Sequence, residues 1–126
     1  MKFRAKLFSF TLASILTGSV FSVQFECPKI EVIKTEDFLF AEKIKENFYL
    51  TYNISKFETD SYWVFVLRPI EAETANKAKH RANEVLSKMY EQGVFMEEDG
   101  ESFCQYPTGD NTLLARAAPE NLLSTM

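Results

Sequence analysis

Few side chains in this chain can do chemistry. His80 is its only histidine, flanked by Lys79 and Arg81. The sequence places no nucleophile–base set around it, so an exposed helical histidine without a catalytic role is expected. Glu97, Glu98, Asp99 and Glu101 crowd around Gly100. Calcium prefers such hard oxygens, yet the alternating Asp/Asn positions and closing Glu of a calcium loop are missing, and a solvated hairpin tip is expected. Cys27 and Cys104 are the only cysteines and lie outside any CxxC pattern. With one histidine there are too few ligands for zinc. No catalytic residue and no metal site is therefore expected, and the chain reads as a non-enzyme.

The compartment decides what the two cysteines do. Residues 1–22 have the three parts of a secretory signal peptide: Lys2, Arg4 and Lys6, an uncharged run from Leu7 to Val20, and small residues before a cut after Ser22. The apolar run is too short to span a bilayer. Cys27 follows Val23-Gln24-Phe25-Glu26, which is too bulky and charged for lipid attachment. A periplasmic or secreted product without a membrane anchor is expected. In an oxidising compartment, two distant cysteines of a small domain read as a Cys27–Cys104 disulfide. Closing a loop of about 78 residues is worth about 4 kcal/mol in the chain-entropy model.

Removing Lys2, Arg4 and Lys6 takes the net charge from −4 to −7. That balance opposes nucleic acid and anionic lipid as partners. The roughly 104 remaining residues hold one modest core. The expected organisation is a signal peptide at 1–22, a single domain at 23–107, and a tail at 108–126 that is loose or adds a short helix.

Along the domain, Ile30–Lys34 reads as an extended entry segment and Phe38–Lys43 as a first strand. Asn47–Phe57 alternates, with Phe48, Leu50, Tyr52 and Ile54 on the face expected to be buried and Tyr49, Thr51, Asn53 and Ser55 opposite. Lys45-Glu46-Asn47 is the expected turn between these strands. Tyr62–Leu67 is unbroken apolar sequence, suited to a central strand that Arg68-Pro69 should end. Ala72, Ala75, Ala78, Ala82, Val85, Leu86 and Met89 then recur at helical spacing, predicting about five turns ended by Gly93. Asp99-Gly100 between apolar stretches predicts a closing hairpin with Cys104 in mid-strand. The fold class is α+β: an antiparallel sheet in the order β-β-β-α-β-β, with one long amphipathic helix on one face and one disulfide.

One helix covers one sheet face, whereas Tyr62, Val64 and Val66 point opposite to Trp63, Phe65 and Leu67. The surplus apolar face predicts burial by the tail, a homodimer partner or a small apolar ligand.

Cys27-Pro28, the Trp63-Val64-Phe65-Val66 strand, Ala82-Asn83-Glu84-Val85-Leu86 and Cys104-Gln105-Tyr106 occur in an order that resembles a family of small, mostly uncharacterised exported bacterial two-cysteine proteins, some described as haemin-binding. The resemblance implies an envelope or secreted location, a shared disulfide framework and haemin as a ligand. Haem iron takes His, Cys, Met or Tyr. With both cysteines bridged, His80, Met89 and the tyrosines remain, Tyr49 and Tyr52 foremost. The function expected is binding of a protein or small apolar ligand, with haemin binding as the alternative and a small secreted enzyme last.

Overall fold

A computed structural model describes residues 25–122, so the expected signal peptide lies outside the described residues. Strands β1 (Phe40–Lys45), β2 (Phe48–Ser55), β3 (Trp63–Glu71), β4 (Val94–Glu98), β5 (Glu101–Tyr106) and β6 (Leu114–Pro119) form one sheet. Every pairing is antiparallel and the spatial order is β1-β2-β3-β6-β5-β4. Two helices accompany it, α1 (Ile30–Ile33) and α2 (Ala75–Lys88).

The sheet outweighs the helices, which corrects the expected balance of a long helix on a five-stranded sheet. α2 has 14 residues, under four turns, because β3 runs on to Glu71 and the helix starts only at Ala75, so Ala72 lies in the connection. The Thr74 hydroxyl accepts from the Lys77 amide at 3.2 Å and caps the start. Met89, already extended, closes the other end, four residues before Gly93.

Pro69 does not end β3. Thr51 pairs with Leu67 but Tyr49 with Ile70, so Arg68 and Pro69 lie at a register shift, where a missing amide hydrogen costs no ladder bond. On the other side the pairing with β6 stops at Arg68. Residues 114–119 of the expected tail form β6, inserted between β3 and β5, and a single 3-10 turn follows at Glu120–Leu122. Ile30–Ile33, expected to be extended, is the short helix α1.

Both hairpins form where turn chemistry placed them. Asn47 adopts φ 63° between β1 and β2, and Asp99 and Gly100 adopt φ 52° and 81° between β4 and β5. Two consecutive positive φ values match the right-handed twist of the flanking strands.

The two sheet faces differ. On the helix side one core joins Tyr49, Trp63, Phe65, Leu67, Ile70, Cys104, Tyr106, Ala115 and Ala117 to Ala78, Ala82, Leu86 and Met89. The β2 alternation is therefore reversed from expectation: Tyr49, Thr51 and Asn53 are buried, while Leu50, Tyr52 and Ile54 face away from the helix. Period two defines two faces without saying which is inside. The small Ala78 and Ala82 let α2 approach closely, so the slimmer Thr51 row fits beneath it. Thr51 is satisfied there, its hydroxyl donating to the Leu67 carbonyl at 2.8 Å.

Because α2 contacts β1, β2 and β3 only among its main neighbours, the β5 half of this face needs another cover. The N-terminal segment supplies it, with Ile30 and Ile33 in the same core and the Cys27–Cys104 disulfide (Cα–Cα 5.8 Å) fixing it to β5.

Candidate functional site

The face turned away from α2 carries the large side chains that the core does not use. Strand register aligns Phe40, Tyr52, Val66, Arg116, Gln105 and Val94 in one row across all six strands. Ile54, Val64 and Ala118 form a second row, which Phe103 and Met96 extend on β5 and β4. At the margins Phe40, Ile54, Val94 and the adjoining Tyr62 remain 44%, 40%, 58% and 52% exposed. Towards the centre Val64, Val66, Phe103 and Ala118 are buried.

Glu42, Glu98 and Glu101 share the face towards its ends, and Arg116 is the cation at its centre. The Arg116 guanidinium lies 4.1 Å from the Phe103 ring centroid, Nε donates to Gln105 Oε1 at 3.2 Å, and Nη2 stands 3.7 Å from Glu98 Oε1. Stacking, a hydrogen bond and an ion pair thus occupy the one cation at its centre. Tyr52 stacks on Phe40 with centroids 5.0 Å apart, and its hydroxyl donates to Glu42 Oε2 at 3.0 Å. Desolvation, then the hydrogen bond and charge of Glu42, hold the Tyr52 phenol above its ordinary pKa.

The other residues singled out from sequence do not converge here. Tyr49 is buried beneath α2 and Met89 is buried in the core, so neither reaches a surface ligand. His80 lies on the exposed side of α2, across the sheet from Tyr52. Its Nε2 stands 3.6 Å from Glu84 Oε2, both side chains being largely solvated (80% and 65% exposed). A cleft of about 800 Å3 joins His80 to Glu71, Glu73, Lys77, Arg81 and Glu84, and no hydroxyl or thiol lines it. Acids do meet this histidine, but no side-chain nucleophile does. The acidic cluster sits at the β4–β5 turn, and among the described residues no group of three or more His, Cys, Asp or Glu is arranged to hold a metal ion. Nor is any described helix long and apolar enough to cross a membrane.

A second cluster, passed over in the sequence apart from its cysteines, fastens the N-terminal segment. Gln92 Nε2 donates to the Cys27 and Pro28 carbonyls, both at 3.2 Å, while its Oε1 accepts from the Ile30 amide at 3.0 Å. Tyr106 donates to the Pro28 carbonyl from within the core. Phe25 packs edge-on against Trp63 and Phe95, with centroids 5.1 and 4.9 Å away. A Gln-Gly pair after a helix gives no local sign of these distant contacts.

No curated protein and no solved structure matches the chain. A family model matches residues 26–126, from just before Cys27 through β6 and beyond, so the stretch read as a tail belongs to the domain. The chain is a member of that family, the Domain of unknown function (DUF4949).

Proposed function

We propose that this domain is exported and works by binding, without catalysing a reaction, and that its ligand is a protein or a small apolar molecule held on the sheet face opposite α2. The partly exposed Phe40, Ile54, Tyr62 and Val94, arranged around a face from which free charge is absent at the centre, are the observation that carries this reading. Large apolar side chains left exposed around the rim of one sheet face suit contact with a partner better than with water. An oxidising periplasmic or extracellular location fits the cross-linked pair Cys27–Cys104.

The test uses the mature protein at sub-micromolar concentration. Nile red, a neutral apolar dye, is expected to bind with enhanced, blue-shifted emission, and Ile54→Glu or Phe40→Glu to abolish the signal. Unchanged emission on adding the protein, or equal binding by both variants, would overturn the reading.

Haemin binding is the alternative. Tyr52 is the candidate that favours it, since it lies on accessible apolar surface with Phe40 stacked beside it. Against it stands the raised pKa of that phenol, because ferric iron is held by the phenolate. A haemin titration showing a shifted Soret band that Tyr52→Phe removes would favour haemin. An unshifted band would exclude it.

A further inference from the structure

We propose that the N-terminal segment Phe25–Lys34 is a redox-gated strap. Opening the Cys27–Cys104 bridge lets it swing off the sheet while α2 and the six strands stay folded, uncovering Trp63, Phe95 and Tyr106.

The strap is attached differently from the rest of the domain. Its backbone hydrogen bonds run within the segment, from Val32 and Ile33 to the Lys29 carbonyl and from Lys34 to that of Ile30. Among the described residues, its hydrogen bonds to the body pass through two side chains only. Gln92 reaches Cys27, Pro28 and Ile30, and Tyr106 reaches Pro28. Just beyond α1 the chain is fixed again. Ser55 Oγ donates to Glu36 Oε2 and the Phe38 amide to Asn83 Oδ1, both at 2.8 Å, which puts the hinge between α1 and Glu36.

This attachment favours local opening over global unfolding. Ordering the strap costs backbone freedom at every position, and in return it buries Pro28, Ile30 and Ile33 and half-buries Phe25 and Val32. The bridge offsets part of that cost by tying one end of the strap to β5. The body keeps its own contacts without the strap, since α2 packs on β1, β2 and β3 and the strands pair with one another.

The chemistry is thiol–disulfide exchange with a dithiol. Cys27 is half-buried and lines a cleft with Pro28, Gln92 and Phe95, whereas Cys104 is fully enclosed. The incoming thiolate bonds to Cys27 Sγ, the Cys27–Cys104 bond breaks, and Cys104 leaves as a thiolate that takes up a proton. The second thiol of the dithiol then attacks its own sulfur in the mixed disulfide and releases Cys27. Two protein thiols form and the dithiol is oxidised to its disulfide.

Trp63, the only tryptophan, reports on the strap, being 3% exposed with the Phe25 ring edge-on at 5.1 Å. The test adds dithiothreitol to the mature, disulfide-bonded protein and follows the Trp63 emission maximum together with far-UV circular dichroism. The expected result is a red shift at unchanged far-UV signal, reversed when glutathione disulfide re-forms the bridge. Gln92→Ala supplies a second readout. On this inference the Gln92 hydrogen bonds exist only in the bridged form, so the variant should be easier to reduce, by roughly 5–30-fold in the glutathione equilibrium. An emission maximum that stays put once both thiols titrate means that the strap remains docked, and overturns the inference. An equilibrium that Gln92→Ala leaves unchanged overturns it as well. A red shift accompanied by loss of the far-UV signal also does so, because the whole domain has then unfolded.

Discussion

Tyr106 Oη donates a 2.6 Å hydrogen bond to the Pro28 carbonyl oxygen, joining residues 78 positions apart within a buried site. The bond lies beside the Cys27–Cys104 bridge, so a covalent and a polar tether hold the N-terminal segment on β5 together. Tyr106→Phe removes the donor and leaves the ring. Gln92 Nε2 also donates to the Pro28 oxygen, which limits the penalty of an orphaned acceptor. The expected cost is about 1 kcal/mol, near that of one ordinary hydrogen bond, read as a lowered urea midpoint with the slope unchanged. A loss well above that would mean that the ring itself had moved.

The same residue makes stability fall in alkali. Desolvation by burial raises the Tyr106 pKa well above the ordinary tyrosine value of 10.0. A folded-state pKa above the unfolded one means that the native state keeps its proton while the unfolded chain releases it. This contribution is complete below pH 10 and is lost progressively above it. Unfolding free energy should thus decline progressively as pH rises above about 10, and Tyr106→Phe should flatten the decline. Tyr52 is shifted in the same direction, so Tyr52→Phe is the comparison that separates the buried tyrosine from the surface one.

Two glycines lead to opposite expectations for one substitution. A Cβ on Gly93 would lie 2.5 Å from Cζ of Tyr106, against a packed ring that cannot retreat cheaply. A Cβ on Gly100 would meet open space, and its cost is the backbone strain of φ +81°. Gly93→Ala is expected to cost about 1–3 kcal/mol by overpacking, and Gly100→Ala about 1 kcal/mol by conformation. Pairing each with Tyr106→Leu in chemical denaturation distinguishes the mechanisms. Shortening the side chain at 106 should recover part of the Gly93→Ala loss and none of the Gly100→Ala loss.

Local patterns made the two hairpins, the phase of α2 and the cysteine pair legible in the sequence. Asp99-Gly100 demands its own turn, and Ala78, Ala82 and Leu86 recur at helical spacing wherever the helix is docked. The inward face of β2 was not legible, because Thr51 and Asn53 are core residues only once α2 lies over them and Thr51 finds the Leu67 carbonyl. Strand β6 was also hidden. Leu-Ala-Arg-Ala-Ala-Pro has none of the branched and aromatic residues that mark a strand, and it pairs because β3 and β5 offer two edges for it to fill. The surplus apolar face could be anticipated from β3 alone, but its members on β1, β2 and β6 could not. Of His80, Met89, Tyr49 and Tyr52, only Tyr52 proves to lie on that face.

The disulfide closes a sequence separation of 77 residues and is the covalent part of a clamp whose other parts are Gln92, Tyr106 and Phe25. For an unconstrained chain the loop-entropy model gives about 4 kcal/mol for a closure of this length. The double substitution Cys27→Ala/Cys104→Ala also removes buried sulfur, since Cys104 is fully enclosed. The combined loss is expected at about 3–5 kcal/mol, a large fraction of the stability of so small a domain. The noncovalent tethers predict how that loss is distributed. Hydrogen exchange should rise first in Ile30–Ile33 and β5, while β2 and β3, held by α2, should keep most of their protection. Uniform acceleration across the sheet would show instead that the bridge stabilises the domain as a whole and that the N-terminal segment is no separate cover.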